Sequence, residues 1–158
     1  MSGKLRFRVK KVGVGDYRLS EVFMGLETSK VLQRIFGEEL NEVLDETRVN
    51  INRHPWIIWV NEENGEININ EDYLRENDAQ TMRLDVVHEL IHVKQLSDGK
   101  ELFDSRFSYV DRPTEIEAYR LTVEEALNMG LSSEEIVDYL RVDWVTEEEH
   151  QRLVKAVM

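Results

Sequence analysis

Two histidines and a glutamate near the middle of the chain have the spacing that metal chemistry requires. Residues 88–92 read His88-Glu89-Leu90-Ile91-His92. On an α-helix, positions i and i+4 share a face, so His88 and His92 can direct both imidazoles at one ion. Glu89 lies about 100° further round the same helix, near the ion but off the ligand face. A carboxylate held there can take a proton from water activated by the metal, the role of a general base in metal-assisted hydrolysis. The competing reading is a pair of core histidines, each bonded to a neighbouring carbonyl or carboxylate. Short motifs recur by chance, so the surrounding elements have to support this one.

Residues 81–95 contain no glycine or proline, and Leu84, Val86, Val87, Leu90, Ile91 and Val93 make the segment strongly apolar. The apolar positions wrap most of the helix circumference, which predicts a helix buried on most sides. Histidines inside such a helix need coordinating or hydrogen-bonding partners, because unsatisfied polar groups are costly to bury. A catalytic zinc takes three protein ligands and keeps one position for water. Cysteine is absent, and the only later histidine, His150, stands near the end of the chain. The third ligand is therefore expected to be a carboxylate, and the stretch from Asp111 to Tyr119 offers Glu115 and Glu117. That stretch opens a second helix, running to about Met129 and closed by Gly130. The two glutamates are two positions apart and point to different faces. Thr114 and Glu117 fit a capping box, which gives Glu117 a structural role and leaves Glu115 the better ligand candidate. Both also fit as first-turn acids favoured by the helix dipole.

His88-Glu89-Leu90-Ile91-His92, followed downstream by a helix bearing Glu115-Ile116-Glu117-Ala118, resembles the gluzincin metallopeptidases. The similarity extends to the membrane CAAX-protease and heat-shock peptidase branch and to the ImmA/IrrE peptidases. The soluble minigluzincins look closest in size and layout. The resemblance spans roughly residues 56–129. It implies His88, His92 and Glu115 as Zn²⁺ ligands, Glu89 as general base and acid, and a peptide or protein substrate. It also implies a minimal zincin-like domain, with a small twisted sheet packed on an active-site helix and a glutamate helix. The chain departs from the pattern at Tyr119, where many relatives carry Asp or Asn as polar support for the site.

Stepping outward, the expected class is α+β. The chain of 158 residues suits a single domain, with a core at about 48–130 and a helical C-terminal extension at 131–158. Residues 4–10 alternate as a half-buried strand, and 11–27 carry no clear signal. Residues 29–46 read as one helix with an apolar stripe through Val31, Leu32, Ile35, Phe36, Leu40, Val43 and Leu44, slightly weakened by Gly37. Strands are expected at 48–53, 56–60 and 66–70, the last two joined by a hairpin at Asn64-Gly65. Ile67 and Ile69 alternating with Asn68 and Asn70 predict one buried and one polar face. Either of these two strands could be a free edge that pairs with extended substrate. Tyr109, in the connection between the ligand helices, reads as a packed loop aromatic, with oxyanion stabilisation the rarer alternative. His54 precedes a proline and reads as a turn residue. Capping boxes at Ser132–Glu135 and Thr146–Glu149 open two short terminal helices.

The net charge of −12 argues against nucleic acid, because the one basic stretch, Lys4 to Lys11, alternates like an exposed strand face. No apolar run is long enough to span a membrane and no signal-peptide core is present, so a cytoplasmic location is expected. Two other readings stand beside the peptidase. One is a latent or regulatory zinc-binding module whose terminal segments cover the cleft; the other is a structural protein with ordinary core histidines. Oligomeric state is not legible.

Overall fold

The computed structural model describes residues 7–158. Of the strand expected at 4–10, β1 (Arg8–Val9) is present, and Leu5 lies outside the described residues. It pairs antiparallel with β3 (Phe23–Met24). A four-stranded mixed sheet follows the order β2 (Gly15–Arg18), β4 (Arg48–Asn52), β6 (Ile67–Asn70), β5 (Ile58–Val60). Only the central β4–β6 pair is parallel. Val49, Ile51, Ile67 and Ile69 are fully buried on these central strands, as their alternation requires. The opposite face is less polar than expected: Asn68 is buried too, accepting from the Asn52 amide at 3.3 Å in a short amide ladder. Asn61 and Asn64 accept from the backbone of Glu63 and Glu66 and shape the β5–β6 hairpin. The strand expected at 56–60 begins only at Ile58, leaving Trp56 and Ile57 exposed.

The single helix expected over 29–46 is broken. α2 (Lys30–Phe36) and α3 (Leu40–Glu46) are separated at Gly37, whose φ of 58° leaves the helical region at little cost only for glycine. The unread segment 11–27 supplies β2, β3 and the single turn α1 (Leu19–Val22), and α4 (Glu71–Glu76) precedes the main helix.

That main helix, α5 (Ala79–Ser97), is capped by Asp78 accepting from Thr81 N. α6 (Pro113–Asn128) begins with Pro113 in its first position, where a missing N–H costs nothing. α7 (Ser133–Tyr139) and α8 (Glu147–Val157) open on the two expected capping boxes. α5 lies between two hydrophobic clusters. Val86, Val87, Leu90 and Ile91 join the sheet and α1–α3, while Leu84 joins α6, α7 and α8. The main core thus also draws on Leu19–Leu44, and residues 131–158 complete the second cluster.

A buried ion pair sets the helices against one another. Arg83 on α5 donates to Glu125 on α6 at 2.8 Å, and Ser29, the cap of α2, donates to the other Glu125 oxygen at 2.7 Å. Among the described residues, no helix is long and apolar enough to cross a membrane.

Candidate metal centre

One stripe of α5 carries the polar side chains of an otherwise apolar helix. Asp85, His88, His92 and Gln95 follow each other at steps of three and four, so all four project from one face. α6 packs along that face and brings Glu115 over from its first turn. His88 Nε2 lies 3.0 Å and His92 Nε2 3.2 Å from the same oxygen of Glu115, and the two nitrogens are 3.1 Å apart. Three electron-pair donors, each residue buried, therefore converge on one point. Uncompensated, that convergence would be repulsive, and it needs a proton or a cation at its centre. Ligands bonded at about 2.1 Å in a tetrahedron stand about 3.4 Å apart, so the observed triangle suits a metal ion after a small opening. The group can hold a metal ion.

The hydrogen-bond network fixes which histidine nitrogen is free. Gln95 faces two pure acceptors with its amide nitrogen, Thr114 O at 3.0 Å and Glu117 Oε1 at 2.7 Å. Its oxygen must then accept from His92 Nδ1–H, at 2.7 Å. A neutral His92 consequently presents its Nε2 lone pair to the centre. Glu117 is held in turn by Lys100 at 3.1 Å. Its expected capping box with Thr114 is absent: Pro113 starts the helix, so Thr114 sits inside the first turn and its hydroxyl donates to Leu102 O instead. Glu117 acts through Gln95 to orient His92.

His88 is held differently. Its Nδ1 has no partner among the described residues, and the Tyr119 ring packs against the imidazole with centroids 4.2 Å apart. Tyr119 shares a hydrogen bond of 2.6 Å with Tyr109, which lies half-buried in the same cavity. Below His88, Asp85 accepts from Tyr139 on α7 at 2.7 Å and from Tyr73 on α4. Asp85 and Gln95 went unread in the sequence, although their three-residue spacing from His88 and His92 is the signal that could have found them. Tyr73 and Tyr139 come from distant segments, and nothing local announced them.

Among the described residues, Glu89 has no hydrogen-bond partner. It is 8% exposed and lines a cavity of about 1110 Å³ together with the three converging residues. β5, an edge strand of the sheet, forms one wall of this cavity and α7 another. His54 is exposed and does not line it, and His150 is buried elsewhere, its Nε2 bonded to Val137 O.

Charge states follow from this geometry. Burial, with the charges of Glu115 and Asp85 against only His92, pushes the Glu89 carboxyl up to about 8. Burial pulls both histidines down. For His88 that wins, whereas Glu115 and Glu89 outweigh it at His92 and hold it up at about 9. Burial would raise Glu115, but the two histidines reverse this and keep it well below the ordinary carboxylate range. In this geometry His92 and Glu115 form a buried imidazolium–carboxylate pair, whose proton a bound cation would displace.

No protein-family model, no curated protein and no solved structure matches this chain.

Proposed function

We propose that the protein is a zinc-dependent peptidase of gluzincin type. The observation that carries this reading is one cavity in which three donors converge while a fourth group, Glu89, faces the cavity with no hydrogen bond among the described residues. A site built only for structure would satisfy that carboxylate or replace it. His88, His92 and Glu115 would hold the ion; all are buried, and Gln95 fixes the tautomer of His92. When bound, zinc supplies Lewis acidity, bringing the pKa of water in its open position toward about 7 and polarising a carbonyl. Glu89 accepts the proton of the attacking water and returns it to the leaving amine. The free edge of β5 can pair with extended substrate backbone and lay it along the cavity. Zinc content is the first test. Near one zinc per chain in the wild type, lost in His88→Ala and in Glu115→Ala, supports the ligand assignment. No metal after reconstitution sinks it.

A latent zinc-binding module is the second reading, favoured by one feature: α7 walls the cavity, and its Tyr139 is bonded to Asp85 beside His88. Under this reading the zinc-loaded chain is inactive and Tyr139→Phe, which frees the wall, raises turnover. A wild type that is already active, with Tyr139→Phe no faster, refutes it.

A further inference from the structure

We infer that the cavity selects extended peptides in which a large aromatic or apolar side chain is flanked by lysine or arginine. This rests on the peptidase reading and specifies its substrate class. Two features of the wall point the same way.

The first is an aromatic mouth. Trp56 is 69% exposed, Trp144 53% and Phe103 45%, and all three line the one cavity. Large aromatics are rarely left in water together without a ligand to cover them. The cavity continues past Trp56, Trp59 and Phe103 into a groove along β5 and the turn after it. An aromatic substrate side chain would stack there, with its backbone on the strand edge.

The second is the sign of the charge. Eight lining residues of the cavity are carboxylic acids and two are arginines. Asp85, Glu89 and Glu115 belong to the centre itself, but the rest have no catalytic part in the reading above. Asp138 and Asp143 on the α7 side make no ion pair among the described residues, and neither do Glu62 and Glu63 at the end of the groove. One acidic pair thus lines the groove beyond the aromatic mouth and the other lines the α7 wall, on a chain already at −12. Such a cleft concentrates cations and repels acidic chains. The Glu89 carboxylate, buried, without a hydrogen bond among the described residues and facing the same cavity, marks where the occupant must pass.

All three tryptophans of the chain line this cavity, so intrinsic fluorescence reports its occupancy directly. The experiment titrates zinc-loaded Glu89→Gln with blocked peptides of equal length that contain no tryptophan. One combines lysine with phenylalanine, a second replaces every lysine by glutamate, and a third replaces every phenylalanine by serine. The first is expected to bind about tenfold more tightly than either other, with the gap to the glutamate peptide closing as salt rises. Asp138→Lys and Trp56→Ala alter exposed positions outside the centre. Asp138→Lys should weaken the first peptide about fivefold, and Trp56→Ala should erase its advantage over the serine peptide. Equal binding, preference for the acidic peptide, or no binding of any peptide overturns the inference. Turnover by the wild type separates the two readings. The expected preference without cleavage removes the peptidase and keeps the selectivity, whereas cleavage without preference does the reverse.

Discussion

Glu89→Gln should make the metal-free protein more stable while abolishing its activity. The folded protein pushes Glu89 from an ordinary 4.5 up to about 8. An acid raised on folding keeps its proton in the native state but loses it on unfolding, so stability falls as pH rises from 4.5 to about 8 and then levels. At pH 7 the native carboxyl is still mostly protonated, and the penalty is 2.5 pH units beyond 4.5, or ~3 kcal/mol at 1.36 kcal/mol per unit. A glutamine escapes this term, because it is neutral in both states. Its amide is no worse partnered than the protonated acid it replaces. The variant should therefore match the wild type near pH 4.5 and exceed it by ~3 kcal/mol at pH 7, a shift of roughly 6–12 °C in melting temperature. Urea denaturation with a chelator present, at steps from pH 5 to pH 8, reads the widening gap. Zinc added to both proteins should narrow it, since a cation in the centre favours the ionised acid. Zinc content should stay near one per chain while turnover falls by about 10²–10⁴-fold. Coincident stability curves across pH 5–8 would refute the reasoning, because they would mean that water solvates Glu89 and that its poise as a base is not built into the fold.

Other perturbations separate the remaining parts of the argument. His92 is held at about 9 without an ion but must be neutral to bind one, so zinc binding at pH 7 should release at least one proton. Calorimetry in buffers of different ionisation enthalpy measures this, and an enthalpy independent of buffer at pH 7 contradicts it. Gln95→Leu leaves all three ligands in place but frees the His92 ring, and zinc affinity should drop about 10–100-fold in a chelator competition; unchanged affinity would reduce the Glu117–Gln95–His92 chain to packing. Arg83→Ala strands the Glu125 carboxylate, 1% exposed, between α2, α5 and α6, and should cost ~3 kcal/mol in urea denaturation. Replacing Arg83 and Glu125 together by methionine and leucine should recover most of that loss, and a double variant as weak as the single one would count against the account.

The parts of this protein that were legible in sequence are those whose geometry one element decides. His88, Glu89 and His92 sit on a single helix, and the period of the helix alone places them. The same period would have pointed to Asp85 and Gln95, but neither was singled out, because their roles exist only through partners on other segments. Glu115 needed α6 to cross α5, and there the reasoning was right about the residue that joins the histidines but wrong about its neighbour. Pro113 fixes the first helical position, so Thr114 cannot cap, and Glu117 is released to hold Gln95. The break at Gly37 was missed for a related reason. An apolar stripe continued through it, and periodicity does not register one residue that takes a positive φ. Residues 11–27 gave no signal because their elements are a few residues long and exist by pairing, Gly15 opposite Ile51 and Val9 opposite Phe23. Trp56 and Ile57 extended an apolar run and read as strand, yet they precede β5 and line the cavity exposed, which an apolar run does not reveal.

The exceptions to burial rules mark the site better than the motif does. α5 is apolar around most of its circumference, and the polar residues of its inner stripe are bonded by three other helices: Asp85 by α4 and α7, and His88, His92 and Gln95 by α6. Glu89, one step off that stripe, makes no hydrogen bond among the described residues. A folding core has no use for an ionisable side chain raised to about 8 and facing a cavity, since each pH unit of that shift is lost stability. Stability given up at one residue, while its neighbours are bonded from three directions, is the signature expected of a group kept free for chemistry. Zinc stoichiometry tests the ligands, but the stability gained by Glu89→Gln tests whether that residue is being held in reserve.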